Sequence, residues 1–207
     1  MAVTGKNVSS PFDPGQQSLH LDDKIVVALE KFAEVFRVLL WDEAKENDLS
    51  PIQLQLLLFL NFHVADQRKV AYLAREFNMT KATISDAVKT LINKGLVTKE
   101  VDTTDTRSFF LNLTAKGENV ASKVSGFSKE LQISVSQMDV QGKENLFHGL
   151  FTLIQSLHEK SIISLQRMCF NCRFYKGDKT QKHFCQFLKQ PLKSGDLRVD
   201  CAEHEPL

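Results

Sequence analysis

Apolar residues recur at three- and four-residue intervals along most of the chain, which predicts a mainly helical protein. The first such stretch begins at Ile25 and ends near Glu46. A second helix is predicted over 51–62, because Ser50 can cap it and Pro51 is tolerated at the first helical position. This second helix is apolar on almost every side, so we expect it to be buried.

The middle of the chain combines a short helix, a turn, another helix and two extended segments. The short helix is predicted over 70–77, and Thr80 can cap the next one, which ends at Gly95. Extended segments follow at 96–101 and 108–113, joined by a polar tip. This order indicates a winged helix-turn-helix, which places its second helix in the major groove of DNA and its hairpin against the backbone.

The helices that flank this unit are more apolar than a small core can cover. After the hairpin we expect one long helix capped by Thr114 and another from Asp139 to Arg167. The apolar residues of the terminal helices are Ile25, Phe32, Phe36, Leu39, Leu146, Phe147, Leu150, Phe151 and Ile154. A surface of this size predicts a homodimer, and packing of the same helices within one chain is the alternative.

The charge of the chain is informative only locally. The formal net charge is +1, so the whole sequence does not indicate a nucleic-acid-binding protein. Residues 68–99, however, contain seven Lys and Arg against two acidic residues. The candidate DNA-binding residues are Thr80, Lys81, Thr83, Ser85 and Lys89 on the second helix and Arg107 at the hairpin tip. Hydroxyls and lysines at such positions can reach base edges and phosphates.

Four segments of this region carry a family resemblance. They are L-S-P-I-Q at 49–53, V-A-Y-L-A-R-E-F at 70–77, M-T-K-A-T-I-S-D-A-V-K-T-L-I-N-K-G-L-V at 79–97, and D-T-R-S-F-F-L-N-L-T-A-K-G at 105–117. Together they resemble the MarR family of transcription regulators. The resemblance implies a dimeric, sequence-specific regulator of transcription that binds double-stranded DNA and has a small-molecule effector. It also implies that Asp105 braces Arg107 in the wing.

The cysteines predict a metal site. All four lie within 33 residues near the C-terminus: Cys169, Cys172, Cys185 and Cys201. We favour zinc, which four thiolates hold in closed structural sites, and a 4Fe–4S cluster is the alternative. A second C-x2-C pair, usual in zinc ribbons, is missing, and the run resembles modules of the high-potential iron–sulfur type. His183 and His204 are candidate neighbours of the site.

These elements predict a mainly α fold with a small hairpin wing. The expected divisions are a flexible arm (1–20), a dimerisation helix (21–47), the winged helix-turn-helix (48–117), further dimerisation helices (118–167) and the metal module (168–207). The sequence has no phosphate loop or nucleophile motif, so we do not expect an enzyme. It has neither a secretory signal nor a membrane-length apolar run, and we expect a cytoplasmic protein. The alternative function is a metal-centred interaction or electron-carrier protein whose winged helix contacts other proteins.

Overall fold

The N-terminal part of the chain is dominated by one helix of 26 residues, α2 (Leu21–Glu46), preceded by the single turn α1 (Pro14–Gln17). The computed structural model describes residues 10–17, 20–103, 108–164 and 167–207. Two compact units divide the chain, Met1–Pro51 and Ile52–Leu207. No helix in the described ranges is long and apolar enough to cross a membrane.

A winged helix-turn-helix follows, within one or two residues of the predicted bounds. Its elements are α3 (Pro51–Phe62), a 3-10 turn (Ala65–Gln67), α4 (Val70–Glu76), α5 (Lys81–Asn93), β1 (Val97–Val101) and β2 (Phe109–Leu113). The two strands are antiparallel, with Val97 opposite Leu113 and Val101 opposite Phe109. Gly95 ends α5 in the left-handed conformation, at a φ of 68°, as the sequence predicts.

The core of the winged helix is built around α3, as its nearly continuous apolar sequence predicts. The most deeply buried side chains of this core are Leu54, Leu56, Leu57, Leu60, Leu73, Ile84, Val88, Leu91, Val97 and Leu111. Ala82 is exposed, because the second position of α5 lies on its outer side.

Three helices follow the wing: α6 (Ala115–Val124), α7 (Lys129–Ser136) and α8 (Val140–Glu159). The prediction of one long helix after Thr114 was wrong, because the chain turns between α6 and α7. The prediction that the last helix reaches Arg167 was also wrong. Ser161 adopts a left-handed φ of 59° and the Ile162 N–H bonds back to the Leu157 carbonyl, a Schellman arrangement that ends α8.

The C-terminal segment forms a small antiparallel sheet in the order β3 (Tyr175–Gly177), β4 (His183–Cys185), β5 (Gln190–Leu192). This sheet and α8 share a second core, which consists of Phe151, Met168, Phe170, Leu192 and Leu197. Phe147 and Ile154 pack against the same core. The sequence assigned Phe147, Phe151 and Ile154 to the dimer surface. In the structure, all three contact the C-terminal segment of their own chain.

Candidate nucleic-acid interface and cysteine cluster

The start of α5 is fixed by a side-chain cap. The Thr80 hydroxyl accepts a hydrogen bond of 3.1 Å from the Thr83 backbone N–H, and the two threonine hydroxyls lie 2.9 Å apart. Caps of this kind satisfy an otherwise unpaired amide at the beginning of a helix. Thr80 therefore caps α5, as the sequence predicts, and its role as a residue that contacts DNA stays a prediction.

The outer face of α5 carries the other predicted contact residues. Lys81, Thr83, Ser85 and Lys89 are all exposed, while Ile84 between them is fully buried. The alternation follows from the helical period, which turns one side of α5 into the core and the other to solvent. A groove beside this face is lined by Ser85, Asp86, Lys89, Ile92, Gly95, Val97, Thr98, Lys99 and Thr114.

The wing is anchored at its base by a buried carboxylate. Asp102 is 2% exposed and forms an ion pair with Lys69, which immediately precedes α4. The Ser108 hydroxyl donates a second hydrogen bond, of 3.2 Å, to the same carboxylate. Sequence reasoning missed Asp102, because its partner lies 33 residues earlier in the chain. The predicted tip residues Asp105 and Arg107 lie outside the described residues.

The junction between the wing and α6 explains the Leu-Thr-x-x-Gly pattern at 113–117, with which the last of the four MarR-like segments ends. The Thr114 hydroxyl donates to the Gly95 carbonyl at 2.7 Å and accepts from the Gly117 N–H at 3.0 Å. The backbone N–H of Thr114 donates to the Leu96 carbonyl. That carbonyl lies 2.0 Å from the position that a Cβ at Gly117 would occupy, so only glycine fits.

The four cysteines lie around one cavity. Cys169, Cys172, Cys185 and Cys201 all line it, none of them in a disulfide, together with Phe174, Tyr175, Phe187, Leu188, Leu192, Asp196, Arg198 and Glu203. Neither His183 nor His204 is among the lining residues. Instead, the His183 ring is buried and its Nδ1 lies 2.7 Å from the Tyr175 hydroxyl. The fold therefore brings the four predicted ligands to one cavity from three places: the 3-10 turn at Cys169–Asn171 and the residue after it, the end of β4, and the C-terminal loop.

Arg198 supplies hydrogen-bond donors to two of the sulfur atoms. Its backbone N–H donates to Cys169 Sγ at 3.2 Å, and its guanidinium donates to Cys201 Sγ at 3.6 Å. Burial raises the pKa of the Cys169 thiol, and the other three cysteines raise it further, while the Arg198 N–H opposes both effects. Donors of this kind offset the charge of thiolates and tune the potential of iron–sulfur centres. Sequence reasoning missed Arg198.

The spacing of the sulfur atoms bears on which metal fits. A single tetrahedral zinc, bound at about 2.3 Å, needs sulfur atoms roughly 3.8 Å apart. In the described ranges, no three His, Cys, Asp or Glu side chains are arranged as they would be around a single bound ion. The cavity measures about 30 Å³, which exceeds the roughly 10–15 Å³ that one water-sized atom occupies. The four thiols therefore surround a space larger than a single atom.

Helix α2 presents an apolar stripe to solvent. Ile25, Leu29, Phe32 and Phe36 follow one another at intervals of three and four residues, and each is more than a third exposed. Trp41 is also exposed. Such a stripe is typical of a surface that a protein partner covers.

The comparisons with known proteins agree with this geometry. Residues 47–108 match the model of the MarR family, and no curated protein matches the chain in sequence. The fold is similar to that of S. aureus MepR in its DNA-binding conformation, with a TM-score of 0.58 and 22% identity over 64% of this chain and 98% of that chain. For the MepR–DNA complex the TM-score is 0.56 and the identity 23%, over 63% and 96%.

A further similar structure comes from an archaeon. The MarR transcriptional regulator of Methanosarcina mazei Go1 has a TM-score of 0.54 and 18% identity, over 63% of this chain and 95% of that chain. About a third of this chain therefore has no counterpart in these structures. In sequence over residues 47–108, and in fold over the greater part of its length, the chain is similar to the MarR family of winged-helix regulators.

Proposed function

We propose that the protein is a transcription regulator that binds duplex DNA through α5 and the wing. The observation that carries the proposal is the outer face of α5, where two lysines and two hydroxyl side chains are exposed on a capped helix. Similarity to MepR, which has been crystallised with DNA, supports the same assignment. Lysines there contact phosphates and the hydroxyls reach base edges in the major groove.

The test is the salt dependence of duplex binding. Affinity is measured from about 50 to 200 mM salt for a duplex that the protein selects from a random-sequence library. Each phosphate contact that is lost should reduce the slope of log K against log salt by about 0.9. Lys89→Ala should therefore flatten the slope by about one contact, and the control Lys129→Ala on α7 should leave it unchanged. Failure to select any duplex would contradict the proposal and favour the alternative of an interaction or electron-carrier protein.

The active species in this proposal is a homodimer joined through α2. A dimer would place two recognition helices about one DNA turn apart, roughly 34 Å. The apolar stripe of α2 supports this assembly, because its side chains are exposed in a single chain. Phe32→Glu should convert the dimer to a monomer in sedimentation velocity, whereas the control Lys31→Glu should not. A wild-type monomer at micromolar concentration would contradict the proposal.

The proposed cofactor is a metal centre held by Cys169, Cys172, Cys185 and Cys201. The two donors from Arg198 support a centre held by thiolates, and a cavity of about 30 Å³ between the four cysteines favours an iron–sulfur cluster over the single zinc favoured by the sequence. Such a cluster supplies a group that can be oxidised or lost. In this arrangement the chain contributes four thiolates and the N–H groups that stabilise their charge.

Metal analysis of protein purified without oxygen tests this assignment. About four iron atoms per chain and a broad visible absorption would support the cluster. One zinc per chain and no colour would replace it with a structural zinc site. Cys185→Ser should lower the metal content in either case, and the control Ser194→Ala should not. Protein that contains neither metal would contradict the metal centre while leaving the DNA proposal in place.

A further inference from the structure

The segment between α8 and the cysteine cluster contacts the helix-turn-helix directly. The Ser164 hydroxyl donates to the Arg75 carbonyl at 2.6 Å, and its backbone N–H donates to Asn78 Oδ1 at 3.0 Å. Asn78 lies in the turn between α4 and α5, at a left-handed φ of 50°. The chain that leads into the first cysteine is thus attached to the turn that positions α5.

Three residues later, Arg167 makes a second and more extensive attachment. Its guanidinium is 6% exposed and donates to both oxygens of Glu76, at 2.6 and 3.1 Å, and to both oxygens of Asp200, at 2.6 and 2.9 Å. It also donates to the Tyr72 hydroxyl at 3.0 Å and lies 3.2 Å from His63 Nε2. We name these five residues the Arg167 cluster.

The Arg167 cluster joins two parts of the molecule that carry different proposed roles. Glu76 and Tyr72 belong to α4, which precedes α5, the helix proposed to enter the major groove of DNA. Asp200 immediately precedes Cys201, and the Cys201 N–H donates to the Arg167 carbonyl at 3.0 Å. Two of the proposed metal ligands are therefore one or two residues away from a member of the cluster.

Because Arg167 is both buried and charged, this connection depends on where its two carboxylate partners, Glu76 and Asp200, lie. A buried guanidinium needs its carboxylate partners, since removing one of them leaves an uncompensated charge. Asp200 directly precedes Cys201 in the chain, so the position of the Asp200 carboxylate depends on whether the segment that holds the four cysteines is well ordered. If Asp200 moves away, Arg167 keeps only Glu76, Tyr72 and His63 as partners, and the link from α4 to the segment around Cys201 is lost.

We propose that the four-cysteine module controls the order of α4 and α5 through the Arg167 cluster, so that loss of the metal centre weakens DNA binding. This inference rests on the proposed function and adds the route by which the metal centre regulates it. Coupling between two sites is reciprocal, so DNA should also raise the equilibrium affinity of the module for its metal by the same factor.

Amide hydrogen exchange tests the route without DNA. Hydrogen exchange is measured on three full-length proteins: wild type, Glu76→Gln and Glu118→Gln. Each is measured before and after treatment with a chelator. Glu118→Gln removes the same charge at an exposed position on α6 and serves as the matched control. In wild type and in this control, chelation should lower protection of residues 70–93 by about fivefold or more, within the usual range of coupling between sites. In Glu76→Gln, that response should fall below about twofold, with the metal content unchanged.

A milder variant guards against misfolding. Tyr72→Phe removes one hydrogen bond from the cluster and should show an intermediate response. A response to chelation that is confined to 168–201 in wild type would contradict the inference alone, as would a full response in Glu76→Gln. No response anywhere in the chain would contradict the metal centre and this inference together.

DNA binding provides the second readout. For the selected duplex, chelation should raise the Kd of wild type and of Glu118→Gln by about fivefold or more, and that of Glu76→Gln by less than about twofold. Saturating duplex should raise the chelator concentration that removes half of the metal from wild type at equilibrium, by the matching factor. Equal Kd values for treated and untreated wild type would overturn the inference while leaving the proposed DNA binding intact.

Discussion

Replacement of Gly117 by alanine should separate α6 from the wing. The added Cβ would lie 2.0 Å from the Leu96 carbonyl oxygen and 3.3 Å from a methyl group of Leu113. The carbonyl cannot turn away freely, because it accepts the backbone N–H of Thr114 at 3.0 Å. The obstacle is thus backbone that is already hydrogen-bonded, and it lies where α5, β1 and α6 meet.

The magnitude follows from two opposing effects. Real Cβ contacts essentially never fall below 3.0 Å, so the helix must move by about 1 Å or more from the 2.0 Å contact. Overpacking on this scale costs up to about 3 kcal/mol, whereas alanine in place of glycine gains about 1 kcal/mol of helix propensity. We expect Gly117→Ala to lower the free energy of unfolding by about 2 kcal/mol.

The matched control is Gly149→Ala in α8. A Cβ at Gly149 would have no atom within 4 Å, so this variant should gain about 0.4–1 kcal/mol. Urea unfolding of both variants and the wild type, at one protein concentration, gives the comparison. The reasoning would be refuted if Gly117→Ala were as stable as the wild type or changed stability in the same direction as Gly149→Ala.

Three further changes test the local structure. Thr80→Ala should cost about 1 kcal/mol in urea unfolding through loss of the α5 cap, with Thr80→Ser close to wild type; equal losses would contradict the cap. Asp102→Ala should lower stability by about 1–3 kcal/mol, because Lys69 and the wing lose a buried acceptor, and an unchanged urea midpoint would exclude that role. The N–H groups of Lys182 and the two residues before it hold the pKa of Asp178 well below its usual range. Because folding lowers this pKa, the Asp178 carboxylate should contribute its full stabilisation above about pH 4 and lose it only as the pH falls through the lowered pKa. An NMR titration in which Asp178 has an ordinary Asp midpoint would contradict this.

The winged helix could be predicted because its signals are local. A cap such as Thr80 or Thr114 acts on an amide three residues away, and Gly95 lies only two residues after the end of α5. The spacing of apolar residues along each helix also indicates which face is buried. These features depend on neighbouring residues, so the helices and the strand pair could be placed within one or two residues.

The contacts between distant segments could not be predicted in this way. Arg167 and Glu76 are 91 residues apart, and nothing in either segment indicates the other. The end of α8 was also missed, because Ser161 occupies a left-handed position that glycine usually marks. In both cases the outcome depends on tertiary packing, which local propensity does not encode.

The same reasoning explains why the cysteine module is not a separate domain. Its own apolar residues, chiefly Met168, Phe170, Leu192 and Leu197, form a core only together with Phe151 of α8. The Phe151 and Phe170 rings meet edge to face at 4.8 Å, a contact that no isolated module could make. A segment of this size rarely folds without a metal or a larger partner, and here it has contacts with α8 as well as four thiols. If the proposed metal centre is present, its loss should therefore loosen the contact with α8 as well as the sheet, because both belong to the unit Ile52–Leu207.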